Sequence, residues 1–133
     1  MDPITKEQAI DIIREAGFGF LATTEGNQPR VRPMMPYLTQ DGELLMAMLG
    51  RSRSIAQIKA NPHVEICFVD RKMWYCRVTG TAQISADTLK KTLVFENVPM
   101  LRQYFAGPQD ANYHLAVIKI TAIEVMTPHS RLP

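Results

Sequence analysis

The chain is poor in the residues that disulfide frameworks and metal centres need: it has 2 cysteines and 3 histidines in 133 residues. Cys67 and Cys76 are too far apart for a CxxC pair, and each falls inside an expected strand, so buried, reduced thiols are expected. His63, His114 and His129 show no metal-ligand spacing with one another or with the cysteines, and no metal is assigned. There is no glycine-rich dinucleotide fingerprint and no P-loop, which argues against ATP or a Rossmann-bound dinucleotide. No triad or carboxylate pair is visible, so no residue is assigned as catalytic. Repeats and low-complexity segments are also missing. No apolar run reaches the length of a membrane span, and the N-terminus lacks a signal-peptide pattern, so a cytoplasmic protein without a membrane partner is expected. The net charge is only +2. That is too little for the broad basic field of a nucleic-acid binder.

What is present fits one domain over residues 1–133. A 46% hydrophobic content with 21% charged residues is globular rather than disordered. A chain of this length buries roughly two thirds of its unfolded surface, enough for one core. Thr5 with Gln8 reads as a capping box, followed by an apolar stripe of Ala9, Ile12, Ile13 and Ala16 closed by Gly17. Strands are expected near 18–24, 29–37 and 43–49, joined by turns at Gly26 and Asp41-Gly42. A short helix follows, then strands near 63–70 and 73–84 joined tightly through Asp70-Arg71-Lys72. A helical stretch should begin after Ser85 and run to about Asn97, where Pro99 interrupts it, and the last strand should cover 113–126. Hairpin-joined antiparallel strands with peripheral helices predict a mainly β fold, a closed or split barrel of six to seven strands.

Two segments carry local basic character. In the first, Arg30-Val31-Arg32-Pro33-Met34-Met35-Pro36, an extended strand puts Arg30, Arg32 and Met34 on one face and Val31, Pro33 and Met35 on the other. Two prolines confine it to an edge or an interrupted ladder, leaving backbone groups free for a flat heteroaromatic ring. The same residues also fit an edge strand with charged blockers against aggregation. The second segment, Leu49-Gly50-Arg51-Ser52-Arg53-Ser54 running on through Gln57 to Asn61-Pro62, reads as a strand end, a polar turn and a helix start. Unpaired N–H groups, the positive end of the helix dipole, two guanidiniums and two hydroxyls suit a phosphate. A serine-capped surface helix with solvated arginines is the other reading.

In their order and spacing, these segments resemble the pyridoxamine 5′-phosphate oxidase-like, FMN-binding split-barrel family. The resemblance takes in Phe18-Gly19-Phe20-Leu21-Ala22-Thr23-Thr24, Gly26, Pro29 to Met34, Ser52-Arg53-Ser54 with Gln57 and Asn61-Pro62, Val64 to Phe68, and Arg77-Val78-Thr79-Gly80-Thr81-Ala82. Its small size looks most like the general stress protein 26 branch. The resemblance implies FMN as cofactor: Arg30 on the flavin phosphate, the backbone of Val31, Arg32, Pro33, Met34 and Met35 along the ring, and the turn Leu49, Gly50, Arg51, Ser52, Arg53, Ser54 with Gln57 around the phosphate. Where the family has a Ser-Arg-Lys turn, this chain has Ser54 for the lysine. One positive charge is lost there, and Arg51 offers another nearby. The change leaves deazaflavin or haem as alternative cofactors.

Family members place the flavin between two subunits, so a homodimer is implied. Strand 44–49 is apolar on both faces, and a second subunit is the simplest cover for one of them. The 8 methionines, among them Met34, Met35, Met46 and Met48, suit an adaptable interface, the ring's surroundings or plain core filling. Trp74, Tyr113 and His114 are the candidates for ring contacts from the second subunit. The resulting expectation is a flavoprotein oxidoreductase passing electrons from NAD(P)H or another reduced cofactor to a small acceptor. The alternative is a binding module, a sensor or store for flavin, deazaflavin or haem. Efficient oxidation of pyridoxamine phosphate is not expected, because a substrate phosphate needs its own cationic cluster. The family's oxidases carry an Arg-x-His element near the C-terminus. Here 113–126 offers only Lys119, His129-Ser130-Arg131 inverts the order, and the ending Arg131-Leu132-Pro133 is only superficially similar.

Overall fold

In the computed structural model, which describes residues 3–127, helix α1 (Pro3–Ala16) buries Ala9, Ile12 and Ile13 against the sheet. The His129-Ser130-Arg131 motif and the 131–133 ending lie outside the described residues. Helix α1 starts earlier than expected: Thr5 sits inside its first turn rather than at its cap. Pro3 accounts for this, since proline's fixed φ suits the first helical position and its missing N–H is not needed there. Gly17, at φ +72°, ends the helix and donates its N–H to the Ile13 carbonyl at 3.2 Å.

The strands are β1 (Gly19–Glu25), β2 (Gln28–Met34), β3 (Tyr37–Leu38), β4 (Glu43–Leu49), β5 (His63–Val69), β6 (Tyr75–Ser85) and β7 (Tyr113–Met126). They form one antiparallel sheet in the order β2-β1-β5-β6-β7-β4-β3. Helix α2 (Arg53–Ala60) follows β4, helix α3 (Thr88–Asn97) follows β6, and a 3₁₀ turn covers Pro99–Gln103. The expected strand 29–37 is divided into β2 and β3. Pro33 is tolerated because β2 pairs only with β1 and is an edge strand, and Pro36 falls in the break. The β5–β6 link is a loop in which the Asp70 carboxylate accepts from the N–H groups of Lys72 (2.8 Å) and Trp74 (3.0 Å).

Two hydrophobic clusters result, and β4 supplies both. Leu44, Met46 and Met48 join the cluster under α1 and α2, with Leu21, Ile58, Ile66, Phe68 and Val78. Leu45 joins the second cluster with Val94, Phe95, Val98, Leu101, Phe105, Tyr113 and Leu115, against which Ala47 and Leu49 also pack. The outer face of β4 is therefore covered by α3 and the 3₁₀ turn of the same chain. This corrects the expectation that a second subunit is needed there. Cys67 and Cys76 are both free thiols, and burial raises the pKa of each, that of Cys76 to about 12. Cys76 pairs with Phe68 and Cys67 with Arg77, so the two thiols point to opposite faces of the sheet.

Candidate functional site

A cleft of about 700 Å³ opens where the two clusters meet. Ala16, Met34 and Met48 belong to the first cluster's side, while Met35, Ala47, Leu49, Leu101 and Phe105 belong to the second's. Its walls come from strands far apart in the sheet order: Arg32 to Met35 from the edge strand β2 and its exit, Ala47 to Leu49 from β4, which lies next to the other edge strand. The sheet thus bends enough for β2 and β4 to share one ligand-sized space. Gly17, Phe18, Ser52, Ser54, Met100 and Tyr104 complete the lining.

The polar end is fixed by strand register. β1 turns Gly19, Leu21 and Thr23 inward, and Leu21 lies opposite Arg32. The Arg32 guanidinium is thereby carried into the barrel end, where Nη1 donates to Thr23 Oγ1 (2.7 Å) and to the Leu21 carbonyl (3.3 Å). Its Nη2 donates to Gln57 Oε1 at 2.8 Å, and Thr23 Oγ1 donates to the same oxygen at 2.6 Å. Thr23 and Gln57 are 2% and 5% exposed. Gln57 Nε2 reaches on to Glu25 Oε2 (3.3 Å), and Glu25 Oε1 accepts from Arg30 Nη2 (2.8 Å) and Nε (3.2 Å). Burial, reinforced by the neighbouring Arg30 charge, lowers the Arg32 pKa; the hydrogen bond from Arg30, then that from Gln57, lowers the Glu25 pKa. An arginine with partly desolvated charge, aimed by a threonine and a glutamine, is prearranged for an anion.

Helix α2 begins beside it. Ser52 is its N-cap, with Oγ accepting from the Ser54 N–H at 3.2 Å, and both serines line the cleft. Gly50 lets the preceding turn lie close to β7. Its N–H meets the carbonyl and the Oδ1 of Asn112 at 2.9 and 3.0 Å, and a Cβ there would stand 3.0 Å from His114 Nε2.

Of the residues singled out from sequence, Arg32, Pro33, Met34, Met35, Leu49, Ser52 and Ser54 come together in the cleft. Gln57 stands behind Arg32 rather than on the lining. Arg30 is paired with Glu25, Arg51 and Arg53 are exposed at the turn, and Val31 is 64% exposed. Trp74 lies elsewhere on this chain, in a smaller hollow with Gln8, Asp11, Ile12, Glu15, Asp70 and Lys72. Tyr113 is a core residue, 1% exposed, stacked on Phe105 and donating its hydroxyl to the Lys91 carbonyl at 2.8 Å. That corrects its candidacy as a contact offered to a second subunit. Sequence reasoning missed Phe18, Thr23, Met100, Leu101, Tyr104 and Phe105. Thr23 was detectable as the polar member of an inward Gly19, Leu21, Thr23 alternation. The 3₁₀ residues carry no periodic signal. Among the described residues no helix is long and apolar enough to cross a membrane, and no group of three His, Cys, Asp or Glu is placed to hold a metal.

The family model described as pyridoxamine 5′-phosphate oxidase matches residues 5–127. A solved structure of general stress protein 26 from Bacillus anthracis is 30% identical, with 92% of this chain and 93% of that one covered at a TM-score of 0.81. A NimC/NimA family protein from Clostridium acetobutylicum is 27% identical over 90% of this chain and 89% of that one, at a TM-score of 0.76. A haem-binding protein from Mycobacterium smegmatis shares the fold at a TM-score of 0.79 and 16% identity, with 98% of this chain and 57% of that one covered. No curated protein matches the sequence.

Proposed function

Because the chain belongs to the pyridoxamine 5′-phosphate oxidase family, we propose that it is an FMN-binding flavoprotein, an oxidoreductase that passes electrons from NAD(P)H or another reduced cofactor to a small acceptor. The observation that carries this reading is the polarity of the cleft. Arg32, Ser52 and Ser54 stand at an α-helix N-terminus at one end, and the rest of the lining is nearly all apolar. FMN has the matching shape, a phosphate at one end and a fused ring at the other. Its phosphate suits the Arg32, Ser52 and Ser54 donors, with Arg51 and Arg53 at the exposed rim. Its ring suits the methionine-rich wall and the free edge of β2. The flavin, when bound, supplies hydride and electron chemistry. The chain binds and orients it, keeps water from the ring, and holds Arg32 in a fixed direction through Thr23 and Gln57.

The reading includes a homodimer with the flavin near the subunit interface and a cytoplasmic setting. The structure removes β4 as the reason for dimerisation. Solvent-facing Phe18 on the cleft lining, Phe20 edge-on against it and Val31 on the adjoining strand support an interface instead. Conversion of pyridoxamine phosphate is expected to be slow or absent.

Titrating FMN into the purified protein, with calorimetry and quenching of flavin fluorescence, tests the assignment directly; no binding would sink it. NADPH bleaching of the bound flavin separates the oxidoreductase from a storage or sensing module. Light scattering that gives a monomer with FMN bound would remove the dimer alone.

A further inference from the structure

We propose that a second copy of the chain packs on the outer face of β2, β1, β5, β6 and the second half of β7, about a two-fold axis running across the strands. The inference rests on the homodimer part of the reading above and assigns the face and its orientation. Helices α1 and α2 bury the inner side of the sheet, and α3 with the 3₁₀ turn covers the outer side at β4 and the first half of β7. The rest of the outer side has no cover among the described residues. Strand register sets its side chains in two complete rows. One runs Pro33, Phe20, Cys67, Arg77, Glu124, and the next Val31, Ala22, Glu65, Thr79, Ala122. Every one of them is exposed or half-buried. Val69, Tyr75 and Met126 begin a third row. With strands about 4.8 Å apart and about 6.7 Å between like-facing residues, the footprint is roughly 500 Å² before side-chain relief is counted. That is on the order of the about 800 Å² per partner that a specific dimer buries.

The occupant follows from how the rows are graded. Their β2 and β1 ends are apolar, with Phe20 41% and Val31 64% exposed. Their β6 and β7 ends carry Arg77, Thr79 and Glu124, and Glu65 stands between. A two-fold along the strands would set the apolar end against the charged one. A two-fold across them lays β1 on the partner's β1 and exchanges the two rows. Apolar then meets apolar, and each Arg77 comes beside the partner's Glu65, an isologous and self-complementary contact. Aligned sheet packing, with strand directions within about 30° of each other, allows this crossing. Arg77 has the donors for it: Nη2 holds Glu124 at 2.7 Å, while Nη1 and the buried Nε make no bond among the described residues. Glu65 is bonded only to Thr79 Oγ1, at 3.3 Å. Phe18 lines the cleft and stands edge-on to Phe20, so the interface reaches the cleft and the second copy borders it.

Light scattering on the full chain without added FMN tests the proposal. The wild type should be a dimer. Val31→Glu, at an exposed position in the apolar end, should give a folded monomer, and Tyr104→Glu, at an exposed position outside this face, should stay dimeric. Arg77→Glu and Glu65→Arg should each weaken self-association about tenfold or more. Mixing those two variants in equal amounts should restore dimers, because the repaired charge pairs form only between unlike copies. Pairs within one chain cannot produce that recovery. A monomeric wild type overturns the inference together with the homodimer part of the reading. A dimer that survives Val31→Glu, or charge variants that fail to combine on mixing, overturns the inference alone. Association is read without the flavin, so a failure of FMN to bind removes the flavin reading and leaves this result standing.

Discussion

At the α2 end of the cleft, Arg30, Glu25, Gln57, Arg32 and Thr23 form one continuous chain of hydrogen bonds. The wall from Met100 to Phe105 is held differently, with Leu101 and Phe105 sunk in the second cluster and Met100 and Tyr104 left at the surface. The difference shows how such a site divides its tasks. Hydrogen bonds with fixed donors and acceptors set a direction and a sign of charge. Packed apolar atoms set only a shape. Changes at the polar end should therefore alter what binds, while changes at the wall should alter stability when they reach the core and binding when they stay at the rim.

The largest expected effect is at the wall. Phe105 is buried and stacks on Tyr113 with ring centroids 4.8 Å apart. Phe105→Ala should lower the unfolding free energy by about 3–5 kcal/mol, read by urea denaturation, through lost burial and the cavity left behind. Tyr104→Ala, one residue away and 57% exposed, should change it by less than about 0.5 kcal/mol. A loss below about 1 kcal/mol for the phenylalanine would mean that the wall is not anchored in the core and that the contrast between the two ends is wrong.

At the polar end the effect should appear in affinity. Arg32→Ala removes a charge-assisted donor and should weaken FMN binding by about 10- to 150-fold, corresponding to about 1.5–3 kcal/mol. Arg53→Ala removes an exposed charge at the turn and should cost about fivefold or less. Calorimetry on the two variants sharpens the comparison directly. Equal losses would mean that the exposed rim, and not the hydrogen-bonded arginine, holds the phosphate.

That ranking of arginines shows what was legible before the fold was known. Strands β4 and β7 were readable to the residue, because runs such as Leu44 to Leu49 and Tyr113 to Met126 lie between plain turn signals. The face carrying Arg30, Arg32 and Met34 followed from alternation alone. Arg30, Arg32, Arg51 and Arg53 nevertheless looked alike in sequence. They are separated by facts of long range, namely the Leu21 to Arg32 register and the packing of Gln57 from α2 against β1. The same holds for β4, whose second apolar face reads in sequence as a site for another subunit and is covered in the fold by α3 and the 3₁₀ turn. Non-local packing erases the difference between an internal cover and a partner when only one strand is read.

The smallest expected effect concerns pH and the far end of the hydrogen-bonded chain. Gln57 serves Arg32 and Thr23 through its oxygen, and its nitrogen is directed at Glu25. Ionised Glu25 thus helps fix which way the amide faces, and through it the aim of Arg32. The bonds from Arg30 and Gln57 hold the Glu25 pKa below its usual value of 4.5. A carboxyl with a depressed folded pKa binds fewer protons folded than unfolded, so its contribution is complete above the unfolded value and fades as pH falls through the folded one. Acidification below pH 4.5 should therefore erode stability and loosen the polar end together. The erosion should be slight, since the Arg30 and Glu25 side chains are 43% and 41% exposed and water screens the pair. Glu25→Gln should flatten that acid limb in thermal unfolding followed across pH, and leave the profile above pH 6 nearly unchanged. An acid limb equally steep in the variant would detach Glu25 from the network. It would leave Thr23 and Gln57 alone as the groups that aim Arg32.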